Sequence, residues 1–329
     1  MSLPVQQGAG LRHGALFYAD DGALLETAVR FASDSIDRGE MVLVTTGPGV
    51  VSTVLGELFA GEERLVVPDV TFYDTPASAV EQYRRVMAEG VAAGVPGFSA
   101  VGRIDFEASP LPWTEWVRYE AVVNRVFADH PFNTLCLYDV RVDSTPLLEA
   151  MHRTHPVRDF TAVAGEPQYP RPGYSTWLDV FSDERYRSPA DPVEVLAPQL
   201  EALDVGSLEE VRLELASRAL HSGLSRRAVD DFVVAAGQVV DNAVAHGSGS
   251  VRLRLWAVED RLVATVTDRG PGIEDPAAGY LRPLRTPGGK QQREAEAGLG
   301  LWAARQLCHV LDYGHDDDGF TVRLVSYRS

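Results

Sequence analysis

The chain has 329 residues, 45% of them hydrophobic, and a formal net charge of −17; it is long enough for two domains and too apolar to stay disordered. The acidic excess argues against direct nucleic-acid binding or adhesion to anionic membrane, and leaves a basic protein partner open. No apolar run approaches the roughly 20 residues of a membrane span, and Met1–Gly10 has no charged-then-apolar leader, so a cytoplasmic location without membrane attachment is expected. The predicted elements begin with a strand at Gly14–Tyr18 and a helix at Asp21–Arg38. Asp20 or Asp21 caps that helix, Leu24, Leu25, Ala28, Phe31 and Ala32 recur at helical spacing, and Gly39 ends it. A strand at Met41–Thr46, a Gly47-Pro48-Gly49 loop, a helix at Val50–Leu58 and a short strand at Val70–Tyr73 follow. Helix Ser78–Gly90, strand Phe98–Ile104, helix Trp113–Ala128 and strand Thr134–Tyr138 complete an alternation that predicts a parallel sheet covered by helices. Cys136 and Cys308 lie in apolar stretches and read as free thiols rather than a disulfide.

Prolines at 156, 167, 170, 172, 189 and 192 interrupt the middle of the chain, with Tyr169, Tyr174, Trp177 and Phe181 among them. This composition predicts a linker at 166–190 that packs its aromatics on one domain, dividing the chain into 1–165 and 191–329. In the second half, helices at Ser207–Ser222 and Arg226–Ala245 precede strands at Ser250–Val258 and Arg261–Thr267. The turn Glu259-Asp260 makes the two strands an antiparallel hairpin. A long irregular stretch, a helix at Gly300–Leu311 and a strand at Gly319–Tyr327 close the pattern, which suits helices layered on a mixed sheet.

The densest chemistry lies in this half. On helix Arg226–Ala245, Gln238, Asp241, Asn242 and Ala245 share one side. An Asn side-chain oxygen there is a hard neutral ligand suited to Mg²⁺. Asp268 ends an apolar strand before Arg269-Gly270-Pro271-Gly272, where a carboxylate can accept from an exocyclic adenine amine and glycines let backbone approach the base. Gly298-Leu299-Gly300-Leu301 then opens a helix, where backbone amides can hold an anion. The segment Ile273–Ala297 carries Arg282, Arg285, Gly288, Gly289, Lys290 (the single lysine) and Arg293, and reads as a lid whose cations can meet phosphate. His246 at the helix C-terminus serves either as a cap or as a ligand contact.

These three boxes, in this order, resemble the Bergerat nucleotide fold of the gyrase, heat-shock chaperone, histidine kinase and MutL superfamily. Within it they look most like the serine/threonine-type anti-sigma factor kinases. The resemblance implies ATP and Mg²⁺ as cofactors, with Asn242 as metal ligand. Asp268, Gly270, Gly272, Gly298, Leu299, Gly300, Leu301, His246 and Lys290 would line the nucleotide site. The implied partners are a sigma factor and a STAS-type anti-sigma antagonist whose Ser accepts phosphate, and a homodimer stays open as the assembly. One position departs: the family's catalytic Glu falls at Gln238. A carboxamide orients a nucleophile but takes no proton, and loss of a general base costs roughly 10²–10⁴ in rate. A pseudokinase switch therefore stands beside the kinase. A sensor histidine kinase is the weaker alternative, because His221 in Ala-Leu-His-Ser-Gly lacks an acidic neighbour.

In the first half, His13-Gly-Ala-Leu-Phe-Tyr18, Arg38-Gly-Glu40, Tyr119-Glu120 and Leu135-Cys136-Leu-Tyr138-Asp139 together resemble the MEDS sensory domain across residues 11–160. That resemblance implies a RecA-like parallel-sheet sandwich that senses an unknown small molecule, beside a C-terminal Bergerat-fold α/β sandwich. The Gly47–Gly49 loop lacks Gly-Lys-Ser/Thr, so a working P-loop is not expected, although its amides suit an anion. Asp139 ends an apolar strand as a Mg²⁺-associated carboxylate would but reads rather as a turn former, and Arg103, Asp105 and Glu107 cluster beside a strand end, where open α/β sheets place ligands. His152 and His155 read as structural residues sharing a helix face.

Overall fold

The computed structural model describes residues 10–68, 72–157, 173–203, 208–220, 222–283 and 290–328, excluding the side chains of 208–211 and 290–297. The chain divides into two compact units, Met1–Tyr186 and Arg187–Ser329. Among the described residues no helix is long and apolar enough to cross a membrane.

The first unit alternates strand and helix. Its elements are β1 (Arg12–Tyr18), α1 (Asp21–Asp37), β2 (Met41–Thr45), α2 (Val50–Leu58), β3 (Leu65–Val66), α3 (Pro76–Ala92), β4 (Phe98–Gly102), α4 (Trp113–Val126), β5 (Phe132–Asp139), α5 (Thr145–Thr154) and α6 (Trp177–Ser182). The strands form one parallel sheet in the order β1-β5-β4-β2-β3. Such strands are covered on both faces and so read as near-continuous apolar runs. In β2, Val42, Leu43 and Val44 are all buried. Asp20 caps α1 through Ala23 N at 2.8 Å, and the stripe Leu24, Ala28, Phe31 and Ala32 packs into the sheet core. The strand expected at Val70–Tyr73 lies partly outside the described residues. Phe72 and Tyr73 are not in a strand, and the edge position is taken by Leu65–Val66. Aromatics after the proline-rich stretch fold onto α4. The Arg125 guanidinium lies 4.4 Å from the Trp177 ring, and that of Arg118 lies 4.8 Å from Phe181.

The second unit holds β6 (Leu200–Leu203), α7 (Leu208–Ala219), α8 (Arg226–His246), β7 (Arg252–Val258), β8 (Arg261–Asp268), α9 (Lys290–Leu307), β9 (Val310–Asp316) and β10 (Gly319–Tyr327). Its sheet runs β6-β7-β8-β10-β9, and each of these pairings is antiparallel. The sheet is thus antiparallel where the sequence pattern suits a mixed one. The reason is β9: Val310 and Leu311, which a helical reading extends into α9, instead turn back through Asp317-Asp318 and pair with β10. Ser225 caps α8 through Ala228 N at 3.2 Å, and Val229, Phe232, Ala236, Val240 and Ala243 form the stripe that packs on the sheet. A 3-10 turn at Pro192–Val195 is fastened to this unit. Arg261 Nε donates to Asp191 at 2.9 Å, and Arg323 Nη2 donates to Glu194 at 2.9 Å.

Candidate functional site

With the apolar stripe of α8 committed to the core, Gln238, Asp241 and Asn242 fall on its half-exposed face. Helical spacing alone requires this once the buried side is fixed. Asp241 is engaged by α7: Arg212 Nη2 donates to its Oδ2 at 3.1 Å. That approach needs Gly237, since a Cβ there would lie 2.6 Å from Arg212 Nε. The carboxylate nearest Gln238 along the helix is therefore held in an ion pair.

Helix α9 packs against α8 and brings Gly300 to the same point. A Cβ on Gly300 would meet Asn242 Oδ1 at 3.2 Å and Gln238 Oε1 at 3.2 Å. Gly300 thus closes over the two amide side chains with no side chain of its own. It does so from inside a helix, whereas the sequence pattern has Gly298 and Gly300 opening one. The run Gln291 to Ala297 is rich in strong helix formers, so the helix starts at Lys290 and continues through both glycines. Their amides lie within a helix, so here the glycines supply a thin contact rather than free donors. Leu301 is buried in the core and Leu299 is exposed.

Asp268, at the end of β8, is 6% exposed. Its Oδ1 accepts from Gly270 N at 2.5 Å and from Ser248 N at 3.4 Å. Among the described residues no hydrogen bond reaches Oδ2, which leaves that oxygen for an incoming donor. Two glycines make this clasp: a Cβ on Gly247 or on Gly270 would stand 2.6 Å from Asp268 Oδ1. Gly272 takes a left-handed φ of 80° and seats its backbone against Phe320 and His315, and His315 Nε2 lies 3.2 Å from Pro271 O. The result is a side-chain-free cradle beside a buried carboxylate, which suits a flat base with an exocyclic amine.

The remaining residues singled out from the sequence divide. His246 is exposed in the last turn of α8. Arg282 lies over the Trp302 ring at 5.2 Å. Arg285, Gly288 and Gly289, and the side chains of Lys290 and Arg293, lie outside the described residues, as does His221.

In the first unit, Asp139 is clasped by Arg141 through bonds of 2.8 and 2.6 Å, and Arg141 also reaches Asp21 at 2.6 Å. Asp105 Oδ1 accepts from Ala108 N at 3.0 Å as a turn former. Arg103 contacts the Tyr18 hydroxyl. Gly49 N donates to Ser52 Oγ at 3.1 Å, which occupies one amide of the loop suited to an anion. His152 stacks on Phe17 with centroids 3.6 Å apart. His155 does not share its face: it is the C-cap of α5, in extended conformation, and turns into the interior. There it joins His13, Glu120 and Cys136, whose ligand atoms with its own lie within 4.8 Å of one another. Sequence reasoning misses this group because its members are far apart and share no spacing. The signal available is a polar residue on each of two apolar strands.

Two family models match the chain. Residues 12–156 match the MEDS model, the methanogen/methylotroph, DcmR sensory domain. Residues 202–326 match the histidine kinase-like ATPase domain. No curated protein matches the chain.

Proposed function

We propose, for a chain that carries a MEDS sensory domain followed by a histidine kinase-like ATPase domain, that it is a cytoplasmic signalling regulator in which the second unit binds Mg²⁺–ATP and acts on a protein partner. The pairing of domains is that of an ATP-binding signalling regulator. The observation that carries the finer reading is the convergence of Gln238, Asn242 and Gly300, with Asp268 presented in a glycine cradle. The residues fit the nucleotide. Asn242 Oδ1 would hold the metal, Asp268 Oδ2 would accept from the adenine amine, and Gly247 and Gly270 would let the base approach. ATP, when bound, supplies the phosphoryl group. Gln238 orients a nucleophile and takes no proton, and Asp241 stays paired with Arg212.

By resemblance, the partners are a sigma factor and a STAS-type antagonist, so the output is control of transcription. A second reading, a nucleotide-dependent binding switch without phosphotransfer, is favoured by Gln238 itself. Purified chain with γ-labelled ATP and a STAS partner separates the two. Label on the partner that rises ~10²–10⁴-fold with Gln238→Glu identifies a weakened kinase. Saturable Mg²⁺–ATP binding with no label, even in that variant, identifies the switch. No ATP binding by the wild-type chain rejects both.

A further inference from the structure

The interior of the first unit brings four metal-ligating side chains to one point. His13 comes from β1 and Cys136 from β5, adjacent parallel strands in which Ala15 pairs with Cys136. Glu120 comes from α4, and His155 from the end of α5, which is tied back to β1 where Val157 N donates to His13 O at 3.1 Å. His13 Nε2 lies 3.0 Å from Glu120 Oε2 and 3.6 Å from Cys136 Sγ, and His155 Nε2 lies 3.7 Å from Glu120 Oε2. Tetrahedral ligands on bonds of about 2.0–2.3 Å stand about 3.3–3.8 Å apart, which spans most of these separations. His13, Glu120 and His155 are each at most 2% exposed.

The hydrogen bonds around the group fix what each side chain presents to its centre. Asn124 Nδ2 donates to Glu120 O at 3.1 Å and to Thr154 O at 2.7 Å, so Asn124 Oδ1 is what faces His13 Nδ1 at 3.1 Å. A carboxamide oxygen only accepts, so Nδ1 of His13 carries a proton, and Nε2, which shares a proton with Glu120 Oε2 at 3.0 Å, is the nitrogen that can ligate once that proton is displaced. His155 likewise carries a proton on Nδ1, which lies 2.7 Å from Met151 O, while its buried Nε2 makes no hydrogen bond among the described residues. Tyr138 donates to Glu120 Oε1 at 2.9 Å and leaves Oε2 facing the imidazoles. Two imidazole nitrogens, a carboxylate oxygen and a sulfur thus converge, the imidazoles and the carboxylate each oriented by an outer partner as metal ligands are.

We propose that His13, Glu120, Cys136 and His155 form a binding site for a divalent first-row transition ion, with Zn²⁺ the best fit. A thiolate and a carboxylate balance the charge of one divalent ion, and a neutral centre is the form that tolerates burial. Two nitrogens and a sulfur exclude Mg²⁺ and Ca²⁺, which take oxygen ligands. On binding, M–S, M–O and two M–N bonds form, and the thiol proton and the proton shared by His13 Nε2 and Glu120 Oε2 leave to solvent. A cavity of about 20 Å³ adjoins three of the donors and is also lined by Tyr73, Tyr83 and Tyr119. It has room for one water-sized molecule beside the ion.

The test uses the full chain. Metal analysis after purification without chelator should find about one zinc per chain, and Co²⁺ added to the metal-free protein should give a sulfur-to-cobalt charge-transfer band with strong visible bands. Cys136→Ser should abolish the charge-transfer band, and His155→Gln, which removes a ligand, should weaken affinity in competition with a chelator by at least the roughly 10–100-fold that losing an outer partner costs. Asn242→Ala should change neither, which separates this ion from the nucleotide's. X-ray absorption of the wild-type zinc form keeps the test independent of how the variants fold: one sulfur at about 2.3 Å with nitrogen and oxygen at about 2.0 Å is expected. A wild-type chain that takes up neither zinc nor cobalt, or a zinc shell without sulfur, overturns the proposal.

Discussion

The two candidate sites are built in opposite ways. In the second unit, Asn242 and Gln238 sit half-exposed on one helix, Asp268 lies between two glycines, and Gly300 closes over the amides. In the first, His13, Glu120 and His155 are buried, and with Cys136 they reach a common point from two strands, the face of one helix and the end of another. A large exchangeable ligand has to meet backbone, so its site is written as glycines and polar residues at short fixed spacings. A compact ion needs only side chains that converge through the tertiary fold, and convergence leaves no spacing in the sequence. Stability should follow the same division: the buried cluster is coupled to its core, and the amide face is not.

The sharpest way to break this contrast is to remove one group from each site. Glu120→Ala leaves His13 and Tyr138 without their partner and opens a cavity, and should cost the first unit about 2–5 kcal/mol in denaturant unfolding. Asn242→Ala should stay within about 1 kcal/mol while Mg²⁺–ATP binding, read by calorimetry, is lost. Equal stability losses would refute the distinction.

Glycine substitutions sharpen it. Gly270→Ala puts a Cβ 2.6 Å from Asp268 Oδ1 and 2.9 Å from Gly247 Cα, and should cost about 1–3 kcal/mol together with nucleotide affinity. Gly56 lies inside α2, and a Cβ there would have nothing within 4 Å. Gly56→Ala should instead gain about 0.5–1 kcal/mol in the same unfolding measurement.

A pH scan tests the loop that follows β5 in the first unit. Burial pushes the Asp143 carboxyl up to about 6, while its bond from Asp139 N and the Arg103 charge pull it down. A folded value above the unfolded one of about 4 means the folded chain holds the proton more tightly, so the stabilisation is complete below about pH 4 and is lost as pH rises through about 6. Asp143→Asn should flatten that fall, by no more than about 1 kcal/mol at a partly exposed position, in unfolding midpoints across this range. The smallest effect is expected for Arg212→Gln, which removes the ion pair to Asp241 and should cost under about 1 kcal/mol.

Much of the fold is legible in the sequence because each unit uses strong local signals. Helix Val50–Leu58 and strand Gly319–Tyr327 have the bounds their patterns predict, and the alternation of elements in the first half gives its parallel sheet. The departures share a cause. Val310–Asp316 and Leu200–Leu203 become strands because neighbouring strands offer them hydrogen bonds, and helix α9 starts early because Glu and Ala residues outweigh two glycines. Helical spacing carried one residue past the end of α5 misplaces His155 on the face of His152.

By itself the sequence determined that there are two α/β patterns, and that the second carries Asn242, Asp268 and a Gly298-Leu-Gly300 box in an order that resembles a nucleotide site, with Gln238 where the resembled kinases have a Glu. Those facts are local, set by residue type and short spacing. Only the tertiary structure decided that Asp241 is held by Arg212, that Gly300 lies over Gln238 and Asn242 from within a helix, and that His13, Glu120, Cys136 and His155 meet. Strand register and helix packing bring distant residues within a few ångströms, and no spacing along the chain encodes that distance.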